Sequence, residues 1–119
     1  MKVNTMQNGP FVEYSLNNNV LTFHGENDLA INLSEKQKKF DVVIDIILEG
    51  GLLKEFKDKR SNKIKTVASV VIPCAEFYTA PYTVTNNDTT YKPQLKKPIN
   101  TDLVILKLWN YELSNINLI

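Results

Sequence analysis

The sequence predicts an all-β fold: an antiparallel β-sandwich, or a partly open barrel, with at most one short helical turn. Three observations carry that expectation. Apolar residues recur with period two in several segments, which is the strand signature. Turn-forming residues interrupt these segments about every dozen residues, as in sandwiches and barrels. No stretch of ten or more residues keeps a helical period, so a parallel α/β fold is disfavoured.

The elements follow in order. "FVEYSL" at 11–16 sets Val12, Tyr14 and Leu16 against Phe11, Glu13 and Ser15. "NNN" at 17–19 then predicts a hairpin loop, because Asn tolerates left-handed backbone better than other non-glycine residues. "VLTFHG" returns as a second strand, and "ENDLAINL" holds a third alternation through Leu29, Ile31 and Leu33. "SEKQKK" is a polar break in which Ser34 and Gln37 have capping-box spacing, enough for one helical turn.

"FDVVIDIILEGG" is the strongest strand. Phe40, Val42, Ile44, Ile46 and Leu48 make an apolar face, and Asp41, Val43, Asp45, Ile47 and Glu49 a mixed one. Its β-branched density favours strand over helix, and Gly50-Gly51 ends it. "LLKEFKDKRSNKIK" is expected to form an extended hairpin with a solvated tip. "KIKTVASVVI" alternates through Ile64, Thr66, Ala68, Val70 and Ile72, until Pro73 removes a ladder N–H. "EFYTAPYTVT" continues in short pieces, and "NNDTTYKPQLKKPIN" reads as a long polar loop. "TDLVILKLWNYEL" closes the domain, with Leu103, Ile105, Trp109 and Tyr111 expected on one face.

The 119 residues fit a single β-sandwich domain, with flexible residues 1–9 and 114–119. Such a length buries enough surface to fold without a disulfide or metal. One cysteine points to a reducing compartment. The first ten residues lack the apolar region of a signal peptide, and "LVILKLW" is too short and too charged to span a bilayer. A cytoplasmic protein without a membrane partner is expected. The spacing of the long alternating strand, the proline-broken strand and the final strand resembles that of small β-sandwich subunits of phage or contractile-injection particles; the likeness is one of architecture and not of motif.

Candidate chemistry is sparse. Cys74 follows Pro73 and precedes Glu76, whose charge opposes thiolate formation, and the lone His24 is fifty residues away. Cys74 is therefore expected to be a structural plug. His24, Glu26 and Asp28 alternate in "HGEND", but Gly25 and Asn27 make the segment a turn and not a metal site. "KEFKDKRSNKIK" has six basic and two acidic residues, yet a solvated tip explains them better than a nucleic-acid site does. "NDT" at 87–89 matches a glycosylation acceptor pattern, which has no force without a leader. No phosphate loop, dinucleotide fingerprint, CxxC pair or HExxH occurs, so no cofactor is expected.

Two features suggest association. Residues 1–53 carry four Lys against seven Asp and Glu, for −3, whereas residues 54–119 carry ten basic against six acidic residues, for +4. The mixed face of the long strand is too apolar for free solvent and too acidic for the centre of a core. The expected function is non-enzymatic: a structural or interaction module that assembles with itself or docks on another protein. Asp41, Val43, Asp45, Ile47, Lys57, Lys59 and Arg60 are its candidate interface. The alternative is a small carbohydrate- or ligand-binding domain using Tyr78, Tyr82 and Tyr91.

Overall fold

The computed structural model describes residues 1–56 and 64–111. Among these, the chain forms strands with one helical turn and one 3₁₀ turn, and the all-β expectation holds. The first strands are β1 (Lys2–Thr5), β2 (Glu13–Asn17), β3 (Val20–His24) and β4 (Asp28–Asn32), and the turn α1 (Leu33–Lys36) follows. Next come β5 (Val42–Glu49), β6 (Leu52–Glu55) and β7 (Ile64–Ile72). Four three-residue strands succeed them: β8 (Phe77–Thr79), β9 (Val84–Asn86), β10 (Thr89–Tyr91) and β11 (Gln94–Lys96). A 3₁₀ turn at Thr101–Leu103 leads into β12 (Ile105–Leu108).

A five-stranded sheet in the order β1-β12-β7-β5-β6 packs against a three-stranded meander, β2-β3-β4. Alternation decides which side chains meet. Leu21, Phe23 and Ile31 from the meander, and Leu33 just after it, join Ile46, Leu48, Leu53, Ala68, Val70, Ile72, Leu106 and Leu108 in one buried core. Each such Leu, Ile or Phe contributes about 1.5–3 kcal/mol by leaving water.

The turns follow their residues. Asn18 sits at φ 55° between β2 and β3, as the asparagine run predicts. Gly50 and Gly51 are both left-handed (φ 62° and 81°), which makes the two-residue β5–β6 hairpin a primed turn matching strand twist. The helical turn is capped by Asn32, whose side chain accepts from the Glu35 N–H. The predicted cap at Ser34 is thus displaced by two residues.

Other expectations are corrected. Within residues 1–9, Lys2–Thr5 pair in parallel with β12, from Lys2 against Ile105 to Thr5 against Leu108, an element not expected from the sequence. The segments on either side of the basic tip do not pair with each other, because β6 and β7 both pair with β5, on its opposite edges. The last strand buries Val104, Leu106 and Leu108 in place of Leu103, Ile105 and Trp109. Both faces of "LVILKLW" are apolar, so alternation alone cannot choose the inward one. Phe40 precedes β5 and is exposed. The basic-tip residues Lys57, Lys59 and Arg60, and the tail 114–119, lie outside the described residues.

Candidate functional site

The short pieces expected in "EFYTAPYTVT" and the polar stretch predicted as a loop together form a β-arm. β8 pairs with β11, from Phe77 against Lys96 to Thr79 against Gln94. Farther out β9 pairs with β10, from Val84 against Tyr91 to Asn86 against Thr89. Asn87 and Asp88 form the tip with φ 51° and 63°, again a primed two-residue turn. The ten residues from Phe77 to this tip span about 33 Å when extended. The molecule measures 65 × 28 × 21 Å, far from the near-equal axes of a packed sandwich.

Almost every arm residue from 76 to 97 is exposed, the buried Ala80 and the half-buried Pro93 and Leu95 excepted. Tyr78, Tyr82 and Tyr91 are all exposed, Tyr82 by 52%, together with Phe77 and Val84. Among the described residues, the hydrogen bonds that fasten the arm lie at its root. Ala75 N–H donates to the Lys38 carbonyl, Lys97 N–H to the Glu76 carbonyl, and the Lys96 ammonium to the Ser34 carbonyl. Gln37 Nε2 also holds the Pro73 carbonyl at 3.1 Å, and the Lys39 ammonium lies 5.7 Å from the centre of the Phe77 ring.

Beside that root lies an open cleft of about 390 Å³, lined by Gln37, Asp41, Cys74, Glu76, Lys97 and Leu103 among others. Cys74 is exposed here, which corrects the expectation of a buried or half-buried plug. Its backbone N–H donates to Asp41 Oδ1 at 2.8 Å, so Asp41 braces the start of the arm. Glu76 is paired with Lys97 at 3.8 Å. His24 does not line this cleft.

His24 has other partners. Its Nε2 lies 3.0 Å from Ser15 Oγ and its Nδ1 3.1 Å from Asp28 Oδ1. Sheet register produces this trio: Asp28 is the cross-strand partner of His24, and Ser15 lies diagonally across from it on β2. The connectivity is that of a Ser–His–Asp triad, which sequence spacing could not reveal. The surroundings differ, because the Asp28 side chain is 68% exposed and His24 39%. The carboxylate that orients a triad histidine is buried, whereas Asp28 here is open to solvent. Glu26 stands exposed in the turn between β3 and β4. Among the described residues no group of three or more His, Cys, Asp or Glu is placed to share a metal ion.

The remaining candidates sit on the outer face of the five-stranded sheet. Val43, Val71, Ile105 and Lys2 are direct partners across four strands. The next row is Asp45, Ser69, Lys107 and Asn4. Val43 is 62% exposed, an unusual value for valine in the middle of a sheet. Ser69 is buried and donates its hydroxyl to Asp45. Ile47 departs from the expected interface set: it is only 4% exposed. A bulge at Ile46/Ile47, where the ladder skips Val67, disrupts the alternation that would leave it open.

No protein-family model, curated protein or solved structure matches this chain. Among the described residues no helix is long and apolar enough to cross a membrane.

Proposed function

We propose that this protein is a non-enzymatic assembly module, a β-sandwich subunit that engages another protein through the arm of residues 77–97. One observation carries the reading. A two-stranded ribbon with both faces in water is marginally stable by itself, yet this one displays Phe77, Tyr78, Tyr82, Val84 and Tyr91. Phenylalanine and tyrosine are among the side chains that dominate the buried centres of protein interfaces. Both long edges of the ribbon also offer unpaired backbone groups for strand addition. A projecting arm suits a subunit of a larger particle, as the likeness of strand spacing to phage and injection-particle subunits implies, and such a subunit works in the cytoplasm.

The test is a photo-crosslinking amino acid at position 82, with illumination in cells. The reading requires a discrete protein adduct that is lost when the crosslinker is moved to Lys65, on the sandwich body. Absence of any adduct at position 82, and at 78 or 91, would overturn it.

A second reading draws on the same exposure. Tyr78, Tyr82 and Tyr91 are open enough to stack on sugar rings. Saturation binding on a glycan array, abolished by Tyr82→Ala and Tyr91→Ala, would move the assignment to a carbohydrate-binding domain.

A further inference from the structure

Apart from the Glu49–Lys54 ion pair at the β5–β6 edge, the outer face of the five-stranded sheet carries its charges in a fixed order. Carboxylates stand on the β5 side, at Asp41 and Asp45. Ammonium groups stand on the β12–β1 side, at Lys107 and Lys2. Val43, Val71 and Ile105 form an apolar strip between them. None of these four charges has an ion-pair partner among the described residues. Asp41 accepts only from the Cys74 N–H and Asp45 only from Ser69, and no described group pairs with Lys2 or Lys107.

This pattern complements itself. We infer that two copies of the chain pair through this face about a twofold axis parallel to the strands, an inference resting on the reading of the protein as an assembly subunit. Such a rotation keeps each residue's position along the strands and reverses the strand order. The β5 rim of one copy then faces the β12–β1 rim of the other. Asp45 lies opposite Lys107, and Asp41 comes beside Lys2. The Val43 strip lies on its own counterpart, and the two sheets stack as aligned sheets do, about 10 Å apart. A twofold axis across the strands would instead set carboxylate on carboxylate. That arrangement is disfavoured, because like charges brought together destabilise an interface. A second copy thus satisfies what the isolated chain leaves open: an exposed valine in a central position and unpaired charges of both signs. The face spans four strands and few rows, at the small end of stable interfaces, so the dimer depends on concentration.

Light scattering coupled to size-exclusion chromatography, over a dilution series, tests this. The full chain should rise from 13.6 kDa toward twice that mass as concentration increases, and the rise should weaken with salt. Val43→Asp should stay monomeric at every concentration with an unchanged circular dichroism spectrum. The charge variants Lys2→Glu/Lys107→Glu and Asp41→Lys/Asp45→Lys should each be monomeric alone and form a one-to-one dimer when mixed. A wild type that remains monomeric at the highest attainable concentration overturns the inference, as does a Val43→Asp protein that dimerises like wild type. The arm reading is judged separately. Its crosslink at position 82 should persist in Val43→Asp, and absence of the adduct from a wild type that dimerises would count against the arm alone.

Discussion

The Asn27 carboxamide closes on the backbone of Leu53 from both sides: its Oδ1 accepts from the Leu53 N–H at 2.8 Å and its Nδ2 donates to the Leu53 carbonyl at 3.0 Å. The side chain imitates a neighbouring strand. It ties the β3–β4 turn of the meander to β6, the edge strand of the opposite sheet, and so joins the two layers at one end of the sandwich. Leu53 is itself in the core, so the clamp fixes a residue whose burial stabilises the fold.

Replacing Asn27 with Ala leaves a part-buried N–H and C=O without partners. Unmade hydrogen bonds of this kind cost about 1–3 kcal/mol. Asn27→Asp should fare no better than Ala, because a carboxylate keeps the acceptor but faces the Leu53 carbonyl with a second negative oxygen. Urea unfolding of the three proteins checks this; equal midpoints for Asn27→Ala and wild type would show the clamp to be idle.

Gly25 stands against the same residue. A Cβ there would lie 2.9 Å from Leu53 Cδ1 and 2.9 Å from the Tyr111 hydroxyl. Gly25→Ala should destabilise through crowding by about 1–3 kcal/mol. Gly50→Ala meets nothing within 4 Å, but its backbone is left-handed. Its cost should be about 1–2 kcal/mol, from conformation alone. Only Gly25→Ala should be partly rescued by Leu53→Val, and denaturation midpoints of the double variants separate the two mechanisms.

The arm contributes little to the core. Excising residues 81–92 and joining Ala80 to Pro93 through Asn-Gly keeps the Ala80 N–H bond to the Pro93 carbonyl. Calorimetry should show a melting temperature within a few degrees of wild type. Leu106→Ala, by contrast, removes a fully buried side chain and should cost about 2–5 kcal/mol. A large loss on excision would mean that the arm is structural.

Ser15, His24 and Asp28 should form a surface polar row without hydrolytic activity. A fluorophosphonate probe should leave Ser15 unmodified. Covalent labelling that disappears in His24→Ala would reverse the non-enzymatic assignment.

Cys74 should react with a thiol reagent such as dithionitrobenzoate in the native protein, one equivalent per chain, as its exposure requires. Reaction only after denaturant would return it to the interior.

The sandwich was legible wherever one strand face is buried. Leu21 and Phe23, Ile46 and Leu48, and Val70 and Ile72 all alternate inward as their period-two spacing predicts. Legibility failed where that contrast vanishes. The arm has both faces in water, so its strands leave no hydrophobic period. The β-favouring Tyr82, Thr83, Val84, Thr85, Thr89, Thr90 and Tyr91 around the Asn87-Asp88 turn were a signal of composition without a period. In β12 both faces are apolar, and the same contrast is lost in the opposite sense. Of the candidate interface, Asp41, Val43 and Asp45 fall together on one rim, but a bulge that only pairing reveals withdraws Ile47. The Ser15–His24 contact depends on strand register, which local sequence does not encode.

The union of β1 with β12 links residue 2 to residue 105. During synthesis Lys2–Thr5 emerge well before Ile105–Leu108, and must wait for β2 to β11 to follow before their hydrogen-bonding partner exists. The meander β2-β3-β4 needs only near neighbours and can form early. Completion of the larger sheet is therefore the late, slow event of biogenesis, and until it happens the β12-facing edge of β7 stays open to misassociation with other nascent chains.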